Sequence, residues 1–396
     1  MSNDRLGSAI PRPPRYLLSD ADLGEEEALA VANVVRSKWL SVGQQTADFE
    51  SEFADFVECD HAIATSSATA SLHLAMLALG IGPGDEVLVP SYTFVASVNA
   101  IAYVGATPVF VDIGGPSDLN LDLAELAAKV SPRTRAVIVV HLAGYLADMN
   151  GIMDLASRHE FAVVEDAAHA VGARYQTPGG YQGRSAGTIG TLGCFSFFAN
   201  KNLVTGEGGM TTSDSETLAR AVRLGRSHGM TKTSWDKATG RATDYDIDEI
   251  GYNYRPTELT SALGRIQLRK LPAAQDRRRA LTEHYRRRLS VLPDVVIPFA
   301  EHTAGSAYHI LPLVLPNREM RGPFRSALEL RGVQTSVHYP PSHLFTHYER
   351  TQPHTVLPKT EDVASREVTV PLHALLEIAD IDQISDLIIS AYEETS

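Results

Sequence analysis

VVEDAAHAVGA at Val163–Ala173 and CFSFFANKNLVTGEGGM at Cys194–Met210 are the stretches whose reading decides the fold. The first continues an apolar run, Phe161 to Val164, that reads as a β-strand and ends in the acidic pair Glu165–Asp166. The second opens on another apolar run, Cys194–Phe198, and delivers a single lysine, Lys201, into a glycine-rich turn. Short apolar runs without polar alternation suit strands covered on both faces.

Outward from these two pieces, strand candidates at His61–Ala64, Glu86–Val89, Thr107–Val111 and Ala136–His141 alternate with helices at Val95–Tyr103 and Ile152–His159. A further helix opens at Ser66–Ser67 and stops at Gly80, and Asp20–Lys38 reads as an acidic-capped helix. This order predicts an α/β fold with a mostly parallel central sheet flanked by helices, and ligands on such sheets bind at the strand C-terminal ends. Asp166 and the Ser66 loop both fall there. Beyond Ser227 the chain becomes polar and aromatic. A helix is expected over Pro256–Leu271, the basic run Asp276–Arg288 reads as a solvated helix face, and short strands follow at His309–Leu315 and Gln334–Val337 before a last helix from Ile378. The expected organisation is an extended arm over residues 1–17, a large domain over 18–270 and a smaller C-terminal α+β domain over 271–396.

The 396 residues are 44% hydrophobic and 21% charged, with a formal net charge of −13. That acidity argues against a nucleic-acid partner, which is held by clustered Lys and Arg. No apolar run approaches the roughly 18 residues of a membrane span, and the first residues lack the apolar stretch of a signal peptide. Cys59 and Cys194 are too far apart for a metal or redox spacing. The expectation is a cytoplasmic protein without membrane contact.

A carboxylate at one strand end and a lysine after another suit pyridoxal phosphate (PLP) chemistry. The lysine holds the aldehyde as a Schiff base, and the carboxylate keeps the pyridine nitrogen protonated so that the ring accepts electrons. On these blocks, in this order, the chain resembles the DegT/DnrJ/EryC1/StrS family of PLP-dependent sugar aminotransferases, of fold type I, from about Leu18 to the C-terminal helix. The resemblance implies PLP, with its pyridoxamine form in the cycle, and Lys201 and Asp166 as the catalytic pair. It also implies transfer of an amino group from L-glutamate to a nucleotide-linked keto sugar. The GEGG turn points to an NDP-4-keto-6-deoxyhexose and a 4-amino product. A keto-inositol acceptor is the second enzyme reading, and a PLP- or sugar-nucleotide-binding regulatory protein without turnover is the alternative of another class; an intact Lys201 weighs against it.

The same resemblance assigns cofactor contacts to Ala68, Thr69, Phe94, His169, Ser196 and Asn253. Asn253 would come from the partner subunit, so that a homodimer shares its active sites. Substrate contacts fall to Arg255, His338 and Tyr339. Read alone, several of these residues suit plainer roles: Asp166 a helix N-cap, Thr69 a cap, His169 a satisfied core histidine, Phe94 core packing. His169 is placed one helical turn after Asp166 on the same face. Two departures stand out, Ala68 where the family usually has Gly and Thr191 where many members have Asp. The His343/His347 pair lacks further ligands, so no metal is expected.

Overall fold

The computed structural model describes residues 14–232, 234–240, 243–301 and 305–396. The expected N-terminal arm therefore lies outside the described residues as far as residue 13. In chain order the strands are β1 (His61–Thr65), β2 (Glu86–Pro90), β3 (Thr107–Val111), β4 (Ile113–Gly115), β5 (Asp118–Leu121), β6 (Thr134–Val140), β7 (Ala162–Asp166), β8 (Leu192–Ser196), β9 (Gly209–Ser213), β10 (Leu311–Val314) and β11 (Glu367–Val370).

Seven of these form one sheet in the order β1-β9-β8-β7-β6-β2-β3. Neighbours from β8 to β3 run parallel, and β9 runs antiparallel to both β8 and β1. Side chains alternate between the faces of a strand, and here both faces are buried. Leu88, Val137, Val139, Val163 and Phe195 enter one core, which the helices Gln44–Val57 and Met149–His159 cover. Val87, Val89, Ile138, Val164 and Cys194 enter the other, under the helices Ala68–Ala78, Ala96–Tyr103 and Glu216–Gly225. Each fully buried aliphatic or aromatic side chain contributes about 1.5–3 kcal/mol, so the apolar runs specify a strand sealed on two sides.

The expected helix ending at Leu271 does not end there. One helix of 32 residues runs from Glu258 to Leu289 with Pro272 inside it, and the division anticipated between residues 270 and 271 falls within it. A proline in a helix interior costs about 3 kcal/mol. Here Pro272 sits on the exposed side, while Leu268, Leu271, Leu281, Tyr285 and Leu289 are buried on the other. Burial over about nine turns outweighs one lost hydrogen bond.

The basic run is in part the solvated face expected of it, with Arg279 and Arg287 exposed, but three of its arginines turn inward. Arg278 is buried and donates to the Leu372 carbonyl at 3.0 Å, Arg277 to that of Leu376 at 2.8 Å and Arg286 to that of Phe299 at 2.7 Å. These guanidinium groups clamp the long helix to the C-terminal segments. Burial pushes Arg278 down to about 10.

In the C-terminal region β10 and β11 pair antiparallel beneath the helices Arg321–Leu330 and Ile378–Thr395, around Leu313, Phe324, Leu328, Val368, Ile384 and Ile388. The strand expected at Gln334–Val337 is reduced to isolated pairings, Tyr16 with Val333 and Ser336 with Thr369. It has neighbours at single residues only, so no ladder propagates.

Candidate active site

Alternation along β7 sends its two acids in opposite directions. Glu165 shares the face of Val163. Its Oε2 accepts from His141 Nε2 and the Gly187 N–H, both at 2.8 Å, and its Oε1 accepts from the Ile189 and Gly190 N–H groups. Four donors on one buried carboxylate make it a structural anchor. Asp166 shares the face of Val164 and looks toward the helix Ala96–Tyr103, where Ser97 Oγ donates to its Oδ2 at 2.6 Å. Its Oδ1 accepts from the Ala168 N–H at 3.1 Å. Burial raises the Asp166 carboxyl, against the pull of Ser97, the Ala168 N–H, Lys201 and His141. A carboxylate has about four acceptor sites, so two filled ones leave room for another donor.

The Asp166–Ala168 bond is an Asx turn, and it replaces the helix that Asp166 was expected to cap. The chain continues through successive turns, Ala170 N–H to the Ala167 carbonyl and Ala173 N–H to that of Ala170, with Gly172 at φ +79°. His169 still reaches the cavity, by a turn rather than by a helical face.

Lys201 lies in the loop between β8 and β9. Backbone bonds across the loop (Lys201 N–H to the Phe198 carbonyl, Thr205 N–H to the Phe197 carbonyl, Phe197 N–H to the Gly208 carbonyl) hold it closed. Asn202 ties it to the C-terminal region through the Ala307 carbonyl and His309. Lys201 lines a cavity of about 420 Å³ together with Asp166. Its Nζ makes no hydrogen bond or ion pair among the described residues. Desolvation pushes it down to about 8, with Asp166 pulling the other way, so the share present as the neutral, nucleophilic amine at pH 7 rises to about a tenth.

The N-terminus of the helix Ala68–Ala78 forms another wall. Ser67 caps it, its Oγ accepting from the Ala70 N–H at 3.1 Å. The backbone N–H groups of Ala68 and Thr69 have no acceptor among the described residues. Gly209 of β9 makes the close approach possible, since a Cβ there would lie 2.5 Å from the Ser67 carbonyl carbon and 2.7 Å from the Ala68 nitrogen. Unpaired N–H groups at a helix N-terminus suit a phosphate, and the Ala68 methyl leaves them free. Ser196, on the Asp166 side of the sheet, adds a hydroxyl. Asn200 Oδ1 is buried at the same cavity without a partner. An amine, an acceptor carboxyl, a phosphate cradle and an orphaned amide fit PLP in its donor set.

Phe94, 58% exposed, and Tyr339 face each other across the cavity with ring centroids 6.0 Å apart. Tyr339 Oη lies 2.9 Å from His169 Nε2. His169 Nδ1 accepts the Ala143 N–H at 3.3 Å, which places the neutral ring's proton on Nε2, donated to Tyr339. Burial, with Lys201 and His338 nearby, drives His169 well below the usual histidine range.

Of the predicted site residues, Ala68, Thr69, Phe94, Asp166, His169, Ser196, Lys201, His338 and Tyr339 share this cavity. Asn253 and Arg255 do not line it; Asn253 is exposed and pairs with Ser227 through its backbone. Sequence reasoning missed Ser97, whose contact to Asp166 spans 69 positions, and Asn200, which only its position beside Lys201 could have suggested. Thr191 Oγ1 accepts the Val163 N–H at 3.2 Å, so the hydroxyl supplies a side-chain acceptor where many family members have Asp. His343 is engaged by Ser91 and Glu361, and among the described residues no three His, Cys, Asp or Glu side chains are grouped to hold a metal ion.

The family model described as the DegT/DnrJ/EryC1/StrS aminotransferase family matches residues 21–389. The chain is 38% identical over 373 residues to the spore coat polysaccharide biosynthesis protein SpsC of Bacillus subtilis (strain 168), covering 92% of this chain and 94% of that one. Among solved structures, the aminotransferase TlmJ from Streptoalloteichus hindustanus is 34% identical with a TM-score of 0.87, covering 96% of this chain and 99% of that one. A Streptococcus pneumoniae protein solved in its PLP form is 28% identical with a TM-score of 0.87, over the same shares of the two chains.

Proposed function

The chain belongs to the DegT/DnrJ/EryC1/StrS aminotransferase family and is a PLP-dependent aminotransferase; on that premise we propose that it moves an amino group from L-glutamate to a nucleotide-linked keto sugar. The acceptor is an NDP-4-keto-6-deoxyhexose and the product its 4-amino sugar. One observation carries the reading: an uncommitted Lys201 amine and the buried Asp166 carboxyl open onto a single cavity. The name of the B. subtilis relative, a polysaccharide biosynthesis protein, supports a carbohydrate acceptor.

When bound, PLP supplies an electron sink for the carbon that loses its proton. Asp166 would hold the proton of the ring nitrogen, and the N–H groups of Ala68 and Thr69 with Ser196 would hold the phosphate. His169 would face the ring's phenolic oxygen, and Phe94 its face. Lys201 Nζ takes the proton from the α-carbon of the amino donor. In the second half-reaction it delivers a proton to the sugar carbon that bore the ketone. Its depressed pKa keeps it available for both tasks, and positioned proton transfer of this kind contributes about 10²–10⁴-fold.

Asn253 and Arg255 lie off their own protomer's cavity, in keeping with a homodimer in which each reaches its partner's site. Both cysteines are unpaired, which suits the reducing cytoplasm. Among the described residues no helix is long and apolar enough to cross a membrane.

The test is a titration of the holoenzyme with L-glutamate, followed by a panel of nucleotide keto sugars. Loss of the visible absorption of the lysine-bound cofactor, with its return on one sugar, is expected. No loss with glutamate would reject the donor, and no return with any 4-keto sugar would reject the acceptor. Mixing Lys201→Ala with Asn253→Ala protein should restore activity that neither has alone, and a failure to do so would reject the shared site.

A further inference from the structure

The strand β11, EVTV at Glu367–Val370, alternates polar and apolar residues, and all four are buried. Val368 and Val370 enter the C-terminal core. Glu367 and Thr369 share the other face, neither of them exposed. A buried polar face needs partners, and these lead to the active site. Glu367 Oε2 accepts the His338 N–H at 2.9 Å. Thr369 Oγ1 lies 2.5 Å from Glu367 Oε1 and 2.8 Å from His338 Nδ1. Backbone bonds between Ser336 and Thr369 in both directions pin the geometry. The imidazole of His338 lines the cavity, and its Nε2 has no hydrogen-bond partner among the described residues. Three side chains thus connect a sealed carboxyl to the cavity.

We propose that Glu367, Thr369 and His338 form a proton relay whose mouth is His338 Nε2. In its empty state Glu367 is a carboxylate, Thr369 donates to it and accepts from Nδ1–H, and the Nε2 lone pair faces the cavity. A proton arriving at Nε2 forms an N–H bond there. The Nδ1 proton then passes to Thr369 Oγ1, whose own proton passes to Glu367 Oε1. One proton has entered, the carboxylate is neutralised, and the imidazole has changed tautomer without remaining charged. The return runs through the same bonds in reverse.

The inference rests on the aminotransferase reading but not on the identity of the sugar. An amino donor arrives as an ammonium ion and reacts as an amine only after losing a proton; the relay takes that proton and gives it back to the departing product amine, so it is restored after each cycle. The electrostatics agree with the geometry. Burial raises Glu367 to about 8, against Thr369, the His338 N–H, Arg321 and Arg325. Burial and Lys201 push His338 down to about 4. A proton taken at the mouth therefore rests on the carboxyl. The other titratable groups facing the relay are His169 and His309 on the His338 side and the phenols of Tyr92 and Tyr339 on the Glu367 side.

Nitrogen-15 spectra of the histidine-labelled holoenzyme test this, with His338 assigned by the signals lost in His338→Gln. As pH rises through about 8, the neutral ring should change from the Nε2–H to the Nδ1–H tautomer with no imidazolium state. Thr369→Val, close to isosteric, should abolish the change and lower kcat at least about 10-fold, leaving KM for glutamate and the cofactor absorption intact. Thr369→Ser should restore both. A single tautomer from about pH 6 to about 10, or a switch that survives Thr369→Val, would overturn the relay. Failure of the aminotransferase reading would show separately, as a protein without cofactor absorption.

Discussion

The candidate active-site cavity has two walls of different construction. The sheet wall, carrying Asp166 and Lys201, is held by parallel strand pairing and by backbone bonds that span 3, 8 and 11 positions around the Lys201 loop. The opposite wall, carrying His338 and Tyr339, rests on side-chain bonds that span 29, 31 and 170 positions. Chemistry on the first wall is written into contiguous motifs. On the second it depends on a tertiary meeting of segments, so the partners of His338 and Tyr339 carry no local signature. The sheet wall should therefore be intolerant at single residues, and the opposite wall graded.

The largest effect is expected at Lys201. Lys201→Ala should lower turnover by about 10³-fold or more, from the loss of positioned proton transfer, and should remove the visible cofactor absorption. Retained absorption and turnover would dissolve the distinction between the walls.

Next comes the adjacent acid pair on β7. Glu165→Ala strands four donors and should cost about 3–5 kcal/mol of stability, as breaking a buried charged network does, read by denaturant unfolding. Asp166→Asn should leave the midpoint nearly unchanged. It loses about 1.5–3 kcal/mol of charge-assisted bonding to the ring, or about 10- to 150-fold in kcat. Equal stability losses at the two positions would show that alternation along the strand does not separate their roles.

Smaller still is Tyr339→Phe. It removes one hydrogen bond to His169, worth about 0.5–1.5 kcal/mol, and should lower kcat/KM by about 2- to 10-fold with full cofactor binding. A loss as deep as that of Lys201→Ala would make this wall as critical as the sheet.

The walls should also titrate in opposite senses. Lys201 is depressed from 10.5 to about 8, so between these values the unfolded chain binds more protons and cofactor-free protein gains stability as pH rises. Glu367 is raised from 4.5 to about 8; between those values the folded state binds more protons, and stability falls as pH rises. Unfolding at several pH values should show Lys201→Met flattening the upper slope and Glu367→Gln the lower. A variant that flattened the other's window would merge the two walls.

What the sequence alone determined is the sheet and the meeting of Asp166 and Lys201 at one cavity. Apolar runs at Phe161–Val164 and Cys194–Phe198 leave few alternatives to doubly covered strands, because each buried side chain must find a neighbour. Period-two alternation then divides Glu165 from Asp166 once the strand is known. Where one stabilising term competed with another, local reading was insufficient. Pro272 looks like a stop until about nine turns of burial oppose it, and Asp166 looks like a cap until its own side chain closes a turn. Arg278 looks solvated until carbonyls from Tyr308 to Leu372 surround it. Tertiary structure alone decided the partners of His338, Glu367 and Ser97. Hydrogen bonds over such separations follow from how whole layers pack, and no pattern of neighbouring residues encodes them.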